Sequence, residues 1–111
     1  MVDFNSFVEG YTEGLAFVCG ISALDISDET LADIRYECED FLTVEVQGLL
    51  GGEQGYTSRQ AGTDFYLTRN GHGTGFWDRG LRNGEELSTW ARVYGESSHD
   101  EEVASWMQDN E

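Results

Sequence analysis

The chain has 111 residues, and its 22 Asp and Glu residues face only six basic ones, all arginine, for a formal net charge of -16. That is length enough for one domain with a modest core, and an apolar content of 39%, aromatics included, argues against a wholly disordered polymer. The charge argues against direct binding of nucleic acid or of an anionic membrane and leaves basic proteins or cations as partners, while no apolar run is long enough to span a bilayer.

Phe4, Phe7, Val8, Tyr11, Leu15 and Val18 recur at helical spacing, which predicts a first amphipathic helix with Asp3 or Asn5 as N-cap and Gly20 as its stop. Gly10 and Gly14 lie inside it, and small residues four apart on a soluble helix admit a close neighbour. After a linker from Ile21 to Ile26, Ser27 can cap a second helix with a core stripe of Leu31, Ile34, Cys38, Phe41 and Leu42. Val44, Glu45 and Val46 alternate like a strand, although a helix could also run to Leu50 before Gly51 and Gly52 end it.

Residues 51–63 are rich in Gly, Gln, Ser and Thr and read as a loop. Phe65 to Thr68 then suggest one strand and Phe76 with Trp77 a second, joined through the glycines between Asn70 and Gly75, so a β-hairpin is expected here. Asn83 and Glu86 resemble a capping box opening a third helix through Leu87, Trp90, Ala91 and Tyr94. A last helix would carry Val103, Trp106 and Met107. The expected fold is therefore α+β, one domain over 1–111, with N-terminal helices and a later helix packed on a short antiparallel hairpin. Phe65, Leu67, Phe76, Trp77, Leu87 and Trp90 are its expected core.

The first candidate site is acidic. Glu29, Asp33, Glu37 and Asp40 repeat at helical steps on the second helix and read as a line of negative charge opposite the core stripe. Glu9 and Glu13 on the first helix, and Asp100, Glu101 and Glu102 near the C-terminus, extend the same sign. Duplex DNA carries about one negative charge per 1.7 Å of axis, so several carboxylate rows together could imitate it and occupy a groove built for phosphates. A solvated acidic face, as in a halophilic or merely acidic structural protein, is the competing account.

The second candidate is Asp64 to Leu81, where Arg69, Asn70, His72, Trp77, Asp78 and Arg79 stand among turn glycines. Arg69, Asp78 and Arg79 could form a charge network that fixes the turn. An enzymatic reading would use His72 as a general base oriented by Asp78, but no clear nucleophile accompanies them and the glycine spacing matches no phosphate-binding or dinucleotide fingerprint. No catalytic residue is therefore named. His72 and His99 are far apart and Cys19 and Cys38 form no CxxC pair, so no metal site and no cofactor are expected. The two cysteines fall in helical apolar patterns with no signal-peptide pattern before them, which predicts buried thiols and a cytoplasmic protein.

The stretch Leu67-Thr68-Arg69-Asn70-Gly71-His72-Gly73, followed by Gly75-Phe76-Trp77-Asp78-Arg79-Gly80, resembles a family of small acidic bacteriophage proteins. The motif covers under a fifth of the chain and carries over no catalytic residue. After Tyr94 that resemblance implies a short β segment, where this chain has an acidic tail. What it implies about function is interference with host defence in the host cytoplasm: inhibition of a basic nucleic-acid-binding protein such as a CRISPR effector or a restriction enzyme.

Overall fold

The computed structural model describes residues 2–51 and 53–109, with side chains described through Ala104. Its described residues form six α-helices and two short 3₁₀ turns and contain no strand, so the expected α+β fold with a hairpin is corrected to an all-helical one. The helices are α1 (Phe4–Cys19), α2 (Asp28–Phe41), α3 (Val44–Leu50), α4 (Ser58–Arg69), α5 (Gly84–Arg92) and α6 (His99–Asp109), with 3₁₀ turns at Ala23–Asp25 and Phe76–Asp78.

Side-chain oxygens start the first four helices. Asp3, Ser27, Thr43 and Thr57 accept from backbone N–H groups two or three residues on, which satisfies donors that have no partner inside the helix. The Thr43 cap explains why Val44 to Val46 are helical despite their alternation. Asn83 begins α5 differently: its side chain donates to the Leu49 carbonyl at 3.1 Å and no capping box with Glu86 forms.

The central contact is α1 against α4, and it is built on glycine. A Cβ at Gly10 would lie 1.7 Å from the Arg59 carbonyl oxygen, and one at Gly62 would lie 1.8 Å from that of Phe7. Each helix therefore presents a bare backbone patch to the other, and the Thr63 hydroxyl donates to the Gly10 carbonyl at 2.8 Å across the contact. This close crossing brings the aromatic rings together. Phe41 and Phe65 stack with centroids 4.0 Å apart and planes 8° from parallel, and Phe7 lies about 6 Å from both. Buried apolar residues from all six helices and from Phe76 join one cluster.

The hairpin fails because packing overrides local propensity. Phe65 to Thr68 favour strands, but that preference is worth little against burial, and Ala61, Phe65 and Thr68 at i, i+4 and i+7 all face inward on a helix. The supposed loop of residues 51–63 contains the first half of α4. The glycines read as a hairpin turn instead end this helix. Gly71 adopts φ +67°, and His72 N–H donates back to the Leu67 carbonyl at 3.1 Å, the usual way of satisfying carbonyls at a helix C-terminus. Phe76 and Trp77 form the 3₁₀ turn and not a strand.

Of the expected core residues, Phe65, Phe76 and Leu87 are fully buried and Leu67 is half-buried. Trp77 and Trp90 remain 36% and 38% exposed and are corrected to surface positions, Trp77 lying 5.3 Å beneath the Arg92 guanidinium. Where the phage-family resemblance implies a β segment after Tyr94, the chain turns at Gly95 and enters α6. Val103 is buried there, while the Trp106 and Met107 side chains lie outside those described.

Candidate functional site

The acidic residues of α2 do not act as one set. Glu29, Asp33 and Asp40 are exposed, and so are Asp28 and Glu39, but Glu37 is only 28% exposed at its side chain and points inward. Its place follows from helical geometry. Glu37 is seven residues from buried Thr30, which at 100° per residue leaves the two about 20° apart on the same flank. Tyr36, 72% exposed, sits among the outward carboxylates, and Asp40 accepts from the Tyr94 hydroxyl at 2.6 Å.

Glu37 joins a buried polar chain that the sequence did not reveal. One oxygen lies 3.1 Å from a terminal nitrogen of Arg69, off the donor's hydrogen-bonding direction, and the other lies 2.8 Å from His99 Nε2. A carboxylate can only accept, so Nε2 carries a proton, and in the neutral ring Nδ1 accepts from the Tyr11 hydroxyl at 2.9 Å. The hydrogen bond from His99, followed by the Arg69 charge, holds the Glu37 carboxyl below its usual range against the opposing effect of burial. Burial pushes the Tyr11 phenol well above its usual value. Arg69, 5% exposed, also donates to the carbonyls of Gly95 and Tyr94, and its guanidinium lies within 5.6 Å of the centroids of both the Phe65 and Tyr94 rings. These bonds tie α1, α2, α4 and α6 together, which is a structural role.

Asp100 is similarly occupied, accepting from the Tyr66 hydroxyl at 2.8 Å. Cys19 Sγ lies 3.9 Å from it, and burial, with this carboxylate, raises the thiol to about 11. Glu101 is exposed and Glu102 half-buried. Glu9 and Glu13 are exposed on α1, and Arg59 pairs with both. Cys19 and Cys38 are free, Cys38 being fully buried and Cys19 partly so.

The motif residues also part company. The network expected of Arg69, Asp78 and Arg79 does not form: Arg69 faces Glu37, and Arg79 embraces Asp64 with Nε and a terminal nitrogen at 2.9–3.2 Å. Asp64 is fully buried and accepts in addition from the Tyr56 hydroxyl at 2.5 Å. Asp78 caps its own turn, accepting from Gly75 N–H at 3.0 Å and the Thr74 hydroxyl at 2.8 Å, and these bonds hold its carboxyl below the usual range. His72 stacks on Tyr66 at 5.4 Å and makes no hydrogen bond to Asp78 among those described, so the acid-base pair raised from the sequence is absent. Asn70 bridges the end of α4 to Ser97 N–H, accepting at 2.8 Å. The motif thus folds as a helix stop, a capped turn and a buried ion pair.

Among the described residues, no three of His, Cys, Asp and Glu gather as metal ligands, and no helix is long and apolar enough to cross a membrane. Carboxylates exposed to a partner include the outward face of α2 with Asp25 of the preceding turn, Glu45, Glu85, Glu86, Glu96 and Glu101, and also Glu9 and Glu13 of α1, which pair with Arg59. No protein-family model, curated protein or solved structure matches this chain.

Proposed function

We propose that this chain inhibits a basic nucleic-acid-binding host protein, of the CRISPR-effector or restriction type, by presenting carboxylates to a groove built for phosphates. The observation that carries the reading is the division of charge. Arg69 and Arg79 are committed to Glu37 and Asp64 inside the molecule, while Asp28, Glu29, Asp33, Glu39 and Asp40 stand outward on α2 with only Arg35 among them. Such a surface steers a cationic partner from a distance, and then meets its Arg and Lys side chains in charge-assisted hydrogen bonds. Glu37 and Asp100, included in the acidic set from the sequence, are held by internal partners and are left out of the contact surface. The resemblance of the Leu67–Gly80 motif to small acidic phage proteins supports the same reading and implies action in the host cytoplasm.

The test is capture of the tagged protein's partners from a lysate containing CRISPR and restriction complexes, eluted by salt and by competing duplex DNA. A single nucleic-acid-binding complex released by both is the expected result. The triple variant Glu29→Lys, Asp33→Lys, Glu39→Lys should lose that capture with an unchanged helical circular-dichroism signal. Retained capture would remove α2 as the contact face, and a partner indifferent to DNA would overturn the mimicry.

A further inference from the structure

Tyr36, 72% exposed, stands in the middle of the outward carboxylates of α2. At 100° per residue, Asp33 and Asp40 lie about 60° and about 40° to one side of it and Glu39 about 60° to the other, so the ring has negative charge on both flanks. Tyr36, Glu39 and Asp40 together line one concavity of about 380 Å³. Asp40 is held there by the Tyr94 hydroxyl at 2.6 Å, a neutral donor that occupies one of the several acceptor positions of the carboxylate. Asp33 and Glu39 enter no ion pair among the described residues. Arg35, the one base on α2, does not fill the site: its guanidinium lies over the Phe4 ring at 5.3 Å and donates to Asn5 Oδ1 at 3.4 Å.

We infer that Tyr36, Glu39 and Asp40 receive an arginine side chain of the bound partner, its guanidinium stacked on the Tyr36 ring and donating to the Glu39 and Asp40 carboxylates. A guanidinium is flat and weakly hydrated, so one face can lie on an aromatic ring while its fork of N–H groups reaches carboxylates beside that ring. A lysine ammonium is a compact, strongly hydrated point charge that meets the carboxylates and gains less from the ring. Glu39 also walls the adjoining concavity of Val2, Phe4 and Leu42, along which the methylene stem of the arginine can lie. This inference rests on the proposed function and deepens it: the carboxylates attract any cationic protein, and Tyr36 selects one whose phosphate-binding groove presents arginine at this point. Charge alone would accept any polycation; the ring adds discrimination that charge lacks.

The test uses two synthetic peptides of equal charge, glycine alternating with arginine in one and with lysine in the other, read by fluorescence anisotropy against the full chain. The arginine peptide should bind about three- to fivefold more tightly, the factor that a stacked guanidinium contributes at an exposed ring. Tyr36→Leu, at a side chain too exposed to support the fold, should bring the arginine peptide down to the affinity of the lysine peptide with an unchanged helical circular-dichroism signal. Tyr36→Phe, which keeps the ring, should retain the preference, and Glu39→Gln should weaken both peptides and flatten their salt dependence. Equal binding of the two peptides by the parent chain, or a preference that survives in Y36L, would overturn the arginine site while leaving the acidic face standing. Failure of both peptides to bind would overturn both. Sedimentation of the chain alone supplies the remaining arm: a dimer lost in Y36L would seat an arginine of a second copy in the site and would overturn the partner's.

Discussion

At Gly62 one methyl group would have to share space with the Phe7 carbonyl, and backbone oxygen on a neighbouring helix cannot swing aside as a side chain can. Gly62→Ala should therefore cost about 3 kcal/mol, read as a lower urea midpoint. Gly48, inside α3 with no atom within 4 Å of its missing Cβ, gives the opposite expectation: Gly48→Ala should stabilise by about 0.5–1 kcal/mol. At Arg79, replacement by Met would leave Asp64 fully buried with the Tyr56 hydroxyl but without its counter-ion. A loss of about 3 kcal/mol is expected in the same measurement, because an unpaired buried charge costs more than the pair contributed.

At the scale of elements, titrating groups buried between the helices set a pH window, and Tyr11, Tyr66, Cys19 and Glu37 among them reach His99 or Asp100 of α6. The phenols of Tyr11 and Tyr66 are raised above their usual value, chiefly by burial, and so is the Cys38 thiol, while Cys19 is raised to about 11. A raised folded-state value means that the unfolded chain loses its proton first. The stability these groups contribute is complete below the usual thiol and phenol values, about 8.5 and 10, and declines as pH rises beyond them. Glu37 runs the other way: its carboxyl is lowered, so its contribution is complete above the ordinary carboxylate value of about 4.3 and is lost as pH falls through the folded value. Thermal melting followed from pH 3 to 11 should show a plateau between about 5 and 8.5 with a fall on either side. His99→Ala should shrink the acid limb as well as the midpoint, since Glu37 would lose the hydrogen bond that lowers it.

For the whole molecule, a net charge of -16 means that self-repulsion opposes compaction, and screening should relieve it. Raising sodium chloride from 0.05 to 0.5 M should increase the melting temperature, while the same change should weaken capture of a cationic partner. A merely acidic or halophilic protein would share the first response and lack the second. The two measured together therefore separate a surface that tolerates its charge from one that uses it.

Composition and periodicity determined a good deal by themselves. The net charge, the first two helices with their Asp3 and Ser27 caps, and the inward positions of Phe7, Tyr11, Ile34, Cys38 and Phe41 follow from local chemistry and from the 3.6-residue repeat. What only the tertiary structure decided was the fate of residues 58–80 and of the charged groups among them. Phe65 to Thr68 are β-favouring residues that become helix because the bare backbones of Gly10 and Gly62 let α4 settle on α1. Glu37, Arg69 and Asp64 became internal because their partners approach from elsewhere in the chain, Glu37 and Arg69 from each other's helices and Arg79 from the turn that follows α4. A carboxylate that meets solvent and one that meets an arginine across 32 residues of chain are the same letter in a sequence, and only packing separates them.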